Sequence, residues 1–174
     1  MARSSARAWW TAKVGRVVSF VFGRVGAEER AGAARLLTPA QMALFETMPR
    51  PDQRHGLDVA RALREAGFGE DHELIAAGLL HDVGKGPNVR LWHRVAWSLG
   101  QRYGHRLVTL AARVPGARPV FERLEDHAHL SADLARGAGA SERTVLLIAE
   151  QASPSDPAAR VLYLADEGEL PVRR

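Results

Sequence analysis

The chain has 174 residues, 46% hydrophobic and 25% charged, enough for one domain with a buried core, so wholesale disorder is excluded. It contains no cysteine, which excludes disulfide frameworks, thiolate zinc sites and cysteine nucleophiles, and leaves nitrogen and oxygen as the available metal ligands. The formal charge is +4, and all but two of the 24 basic residues are arginine; against that bias Lys85, unlike Lys13, stands beside candidate ligands, where a compact ammonium differs from a planar fork.

The first 26 residues carry Arg3, Arg7, Lys13, Arg16 and Arg24, no acid, and the aromatics Trp9, Trp10, Phe20 and Phe22. This composition fits a basic amphipathic helix that packs on the domain, lies against a membrane surface or serves targeting. No stretch approaches the roughly 18 apolar residues of a membrane span, since Val14 to Val25 is interrupted by Arg16 and Arg24. Residues 1–30 are accordingly expected to be a basic extension, and residues 31–170 the domain proper.

Helices are expected almost throughout, because strand-like alternation is missing and Ala, Leu, Arg and Glu dominate. Thr38-Pro39 predicts an N-cap and a first-turn proline for a helix through Phe45. A second helix is expected over Asp52 to Ala66, stopped by Gly67. Its inner stripe of His55, Val59, Ala62 and Ala66 turns His55 inward. Asp71 caps a third helix, expected to run to about Val83. Its buried side carries His81 and Asp82 in the last turn, where carbonyl dipoles favour a cation. Gly86-Pro87-Asn88 is a turn. Arg90 to Ala112 is expected to be helical with a break near Gly100 or Gly104, and Val120 to Arg136 to be one helix. Ser141 caps a helix through about Gln151. A last helix from near Asp156 carries Leu162 and Asp166 one turn apart.

His55, His81, Asp82 and Asp166 thus fall on inward faces of three helices far apart in sequence. Each alone is equally well a core histidine bound to backbone or a capping aspartate. Four buried polar groups together need a common partner, and a divalent metal satisfies all of them. His72, His93, His105 and His129 have no partner at ligand spacing and are expected to be surface or hydrogen-bonded residues.

The order His55, His81-Asp82, Asp166 resembles the HD-domain metal-dependent phosphohydrolases, over about residues 50 to 170. His81-Asp82-Val83-Gly84-Lys85 is similar to the HDIGK form of the HD-GYP and related HDIG proteins. His127-Ala-His-Leu-Ser-Ala-Asp-Leu resembles their H-P-x-x-G-A-x-L helix, and Arg160 to Asp166 the helix with the closing Asp, notably in bacterial HD proteins that hydrolyse diadenosine tetraphosphate. The resemblance implies an all-α HD-type bundle with His55, His81, Asp82 and Asp166 as ligands of a divalent ion, among Mn, Fe, Co, Ni and Zn. It also implies catalytic roles for Asp82 in orienting water, for Lys85 in offsetting phosphate charge, and for His127 in binding phosphate or protonating the leaving group.

Two departures restrict it. The stretch Leu147 to Ser153 lacks the further histidine of two-metal members: Gln151 stands in the expected place and Glu150 is the nearest substitute, so one ion, or a weak second site using His127, is expected. The GYP signature is absent, as is the acidic pair of stringent-response hydrolases. The expected partner is a small phosphorylated molecule, in first place a nucleotide, and a degenerate module that binds without turnover is the alternative. Arg90 to Arg106, with Trp92 and Trp97, is expected either to cover the site or to be an ordinary amphipathic helix. Stable nucleic-acid binding is not expected, since the charge is dispersed and no recognised motif occurs. A cytoplasmic location is expected, with peripheral membrane contact through residues 1–26.

Overall fold

The computed structural model describes residues 25–171, so the basic segment singled out at the N-terminus lies, but for its last two residues, outside them. Among the described residues there are ten α-helices and no strand: α1 Ala27–Ala34, α2 Pro39–Glu46, α3 Arg50–Leu63, α4 His72–Leu80, α5 Leu91–Tyr103, α6 Arg106–Ala111, α7 Arg118–Glu125, α8 His127–Gly137, α9 Glu142–Ala149 and α10 Pro157–Glu167. The expected all-α class is what forms.

Side-chain caps fix four of the ten starts. Thr38 Oγ1 accepts from the Gln41 N–H at 3.3 Å, and Gln41 Oε1 accepts in return from the Thr38 N–H at 3.0 Å. Asp71 accepts from Leu74 N–H, Ser141 from Thr144 N–H and Asp156 from Ala158 N–H. Each removes an orphan donor worth about 1 kcal/mol. Three boundaries differ from expectation. Helix α3 begins at Arg50, with Pro51 inside its first turn, where a missing N–H costs nothing. Helix α4 stops at Leu80, and the expected helix over Val120 to Arg136 is two helices parted at Asp126. The break in the Arg90 region falls at Gly104.

Helices α1 to α4 and α8 to α10 share the main core, where Phe45, Leu63, Leu74, Leu80 and Leu162 are wholly buried. Burying each such side chain contributes about 1.5–3 kcal/mol. Helix α3 lies on α4, and α9 packs on both α4 and α8. The crossing of α3 with α4 depends on Gly56, where an added Cβ would come within 2.9 Å of the Leu79 carbonyl oxygen. That approach carries the neighbouring His55 toward the end of α4. Between α4 and α8 the chain makes an excursion through α5, α6 and α7, with a small core of its own from Val89, Val108, Ala117, Phe121 and Leu124.

Candidate metal centre

His81 and Asp82 lie just beyond the last turn of α4, as the cap and the residue after it, not inside the helix as expected. The His81 Nδ1–H donates to the Gly78 carbonyl at 2.9 Å, taking an acceptor that a continuing helix would offer to the next backbone N–H. Asp82 leaves the helix at φ −102°, ψ 0°, and Val83–Lys85 forms a single 3-10 turn. Because a carbonyl can only accept, the hydrogen is on Nδ1, and Nε2 is the atom His81 presents inward.

Three helices converge there. His55 Nε2 from α3 donates to Asp166 Oδ1 from α10 at 2.7 Å. His81 Nε2 stands 3.7 Å from the same Asp166 oxygen and 3.4 Å from Asp82 Oδ1. One ligand atom each from His55, His81 and Asp166 lies within 4.8 Å of the others, and Asp82 Oδ2 is 3.9 Å from His55 Nε2. The four residues predicted as ligands are therefore brought together. His81 and Asp82 form the buried floor, whereas His55 and Asp166 remain partly open to solvent.

Burial opposes charge on His81, but the Asp82 and Asp166 carboxylates prevail and push its pKa up to about 9. Burial likewise raises Asp82, yet His81 and Lys85 outweigh it and hold the carboxyl below its usual range. Asp166 is held low in the same way, by its hydrogen bond to His55 and the nearby charge of His81. Charge balance leaves two atoms unserved: His81 Nε2 and Asp82 Oδ1 are buried without a hydrogen-bond partner. Such orphans cost about 1–3 kcal/mol each unless something occupies the space they face. Two imidazoles and two carboxylates suit a first-row divalent ion, so these residues fit the metal the sequence implies.

Lys85 and His127 are at the same place. Lys85 Nζ donates to Asp82 Oδ2 at 2.6 Å. His127, the first residue of α8, donates Nδ1–H to the Leu124 carbonyl at 2.6 Å and places Nε2 3.9 Å from Asp82 Oδ1. Burial, and then the Lys85 charge, lower its pKa, so Nε2 is an unprotonated acceptor. Gly84 allows this assembly by its lack of a side chain, since a Cβ would stand 2.5 Å from the His127 carbonyl oxygen and 2.6 Å from Ser131 N. The Gly84 N–H instead donates to Ser131 Oγ at 2.8 Å.

Both candidates to replace the missing downstream histidine are engaged elsewhere. The Gln151 amide donates to the His81 carbonyl at 3.0 Å, supporting a ligand from behind. Glu150 accepts from Ser155 and Asp156 and braces the loop before α10. His72, His105 and His129 are exposed. His93 is buried, and its Nδ1 accepts from the Arg90 N–H at 3.0 Å. The Arg/Trp helix does not lay Trp92 over the site, because that ring packs on His93 and Phe121. Its Arg94 reaches the buried Asp52 at 2.7 Å. Sequence reasoning missed the supporting roles of Ser131 and Asp52; the signal was spacing, Ser131 four residues after His127 and Asp52 three before His55.

A family model described as HD domain matches residues 53–169, a span that begins before His55 and ends after Asp166. Comparison with curated proteins and with solved structures gave no match. HD domains are generally metal-dependent phosphohydrolases. With most of the chain and every residue of the cluster inside the matched span, this chain belongs to the HD-domain family.

Proposed function

We propose that the protein is a metal-dependent phosphohydrolase acting on a nucleotide or another small phosphate ester. The observation that carries this reading is the pair of partnerless buried atoms, His81 Nε2 and Asp82 Oδ1, facing His55 and Asp166. His55, His81, Asp82 and Asp166 would hold a divalent ion, which when bound supplies an acidified water and a Lewis acid for a phosphoryl oxygen.

The chain's own groups do the rest. Asp82 stays ionised beside Lys85 and His81, so one carboxylate oxygen can orient a water. The Lys85 ammonium, tied to that carboxylate but partly exposed, offsets charge on an incoming phosphate. His127 offers an unprotonated Nε2, so it accepts a hydrogen bond or a proton from the substrate first. Protonation of a leaving group by His127 follows only after that uptake. The partner in this reading is a small phosphorylated molecule and not nucleic acid, and the protein works in the cytoplasm with its basic first 26 residues able to meet a membrane.

One observation favours the alternative of a module that binds without turnover: the downstream ligand position is Gln151, whose amide is spent on the His81 carbonyl. Elemental mass spectrometry after Mn or Fe loading, followed by a phosphoester screen, decides. About one ion per parent chain is expected, and none in His81→Ala or Asp166→Asn variants that keep the helical circular dichroism of the parent. Metal retained in both variants rejects the site. A loaded parent inert on every phosphoester class favours the binding module.

A further inference from the structure

We infer that the α5–α6 hairpin is a docking surface for an anionic lipid bilayer, separate from the metal centre. Between Asp82 and Glu122 the chain contains no acidic residue, while it carries Lys85, Arg90, Arg94, Arg102, Arg106, Arg113 and Arg118. Three of these are engaged locally: Lys85 with Asp82, Arg94 with Asp52 and Arg118 with Glu122. Arg106 and Arg113 are exposed and form no ion pair among the described residues. A stretch so long without a balancing carboxylate projects a one-signed field, which selects an anionic partner.

Apolar exposure is concentrated in the same stretch. Of the eight large hydrophobic residues that stand exposed among the described residues, six are Trp92, Val95, Tyr103, Leu107, Leu110 and Val114, with Tyr103 at 61% and Leu110 at 60%. Trp92, Val95 and Tyr103 fall on one stripe of α5, and Leu107 and Leu110 are neighbours on α6. Arg106, Thr109, Leu110 and Arg113 line a depression of about 330 Å³, with Arg106 at the start of α6, Leu110 near its end and Arg113 just past it. Guanidinium groups beside aliphatic and aromatic side chains are what a headgroup layer over hydrocarbon accommodates. A nucleic acid would use the arginines but not Val95, Leu107, Leu110 and Val114, which give bases no flat face to stack on.

The hairpin has its own small core, so its outer face can change without disturbing the ligands. This inference does not rest on the proposed hydrolase activity. The test is co-sedimentation of the full-length chain with phosphatidylcholine vesicles, with and without phosphatidylglycerol. Three proteins are compared: the parent, a double variant Arg106→Glu with Arg113→Glu, and Leu110→Asp. The parent is expected to bind the anionic vesicles alone and to release with added salt. Both variants are expected to lose at least about fivefold in bound fraction, with unchanged melting temperature and unchanged metal content. The proposal is overturned if the parent ignores anionic vesicles. It is equally overturned if both variants bind as the parent does, which would assign all binding to residues 1–26. Loss of affinity for a single-stranded oligonucleotide in the variants, without loss on vesicles, would assign the surface to nucleic acid and overturn it too.

Discussion

Lys85 holds Asp82 at 2.6 Å while its ammonium stays partly exposed, so one cation both steadies a buried carboxylate and faces any anion that enters. Removing it leaves the ligand atoms of His55, His81 and Asp166 in place. Lys85→Ala is therefore expected to keep its metal and to lose turnover by at least about tenfold, because charge on the phosphate goes unopposed. Unaltered turnover would reduce Lys85 to a structural partner of Asp82. Gly84, beside it, is a matter of distance. Its missing Cβ leaves room for the His127 carbonyl and Ser131 N, which would otherwise be met at 2.5 Å and 2.6 Å. Gly84→Ala is expected to cost about 1–3 kcal/mol through forced separation of the 3-10 turn from α8, read as a lower urea midpoint. Ser131→Ala removes only the acceptor of the Gly84 N–H, and about 1 kcal/mol is expected. Equal and negligible losses in both would show that the turn rides loosely on α8.

At the scale of elements, helix starts were legible because a capping oxygen is a local device: Thr38, Asp71, Ser141 and Asp156 each bond a backbone N–H two or three residues on. Two of the three boundaries that were misplaced lie at the site. His81 and His127 each donate Nδ1–H to the carbonyl three residues earlier, and both helices part there without a glycine or proline to announce it. No local propensity encodes that break, since its cause is an imidazole held for a partner across the fold. The α5–α7 excursion has its own titratable element in His93. Burial, then the Arg90 charge, lower its pKa from 6.5, so the folded state favours the neutral ring that accepts from the Arg90 N–H. Its contribution is complete above pH ~6.5 and is lost as the pH falls through the lower folded value. His93→Gln keeps an uncharged acceptor, so its melting temperature should fall less than the parent's between about pH 7 and about pH 5. Parallel profiles would show that His93 is not the group that titrates.

For the whole molecule, the cluster was readable because His55, His81, Asp82 and Asp166 each sit on an apolar stripe, where a polar residue demands a reason. What the sequence left open was who serves whom. Gln151 stands in the ligand position yet binds the His81 carbonyl, and Asp52 reaches across to Arg94; both depend on long-range placement that spacing does not encode. The centre joins α3, the end of α4 and α10, so an ion there ties together helices far apart in sequence. Without an ion the cluster is still close to neutral, with His81, pushed up to about 9, and Lys85 facing Asp82 and Asp166. The ion-free chain is therefore expected to fold, keeping its helical circular dichroism, and loading should add stability to an existing structure rather than create it. An ion at a hundredfold excess over its dissociation constant contributes about 2.7 kcal/mol, which for a chain of this size raises the melting temperature by about 5–10 °C. Calorimetry of chelator-stripped and Mn-loaded protein measures it, with His81→Ala expected to melt at one temperature under both conditions. A parent that also melts at one temperature would mean that the buried nitrogen of His81 and the oxygen of Asp82 face each other without an ion, and that the fold bears the cost of their missing partners unaided.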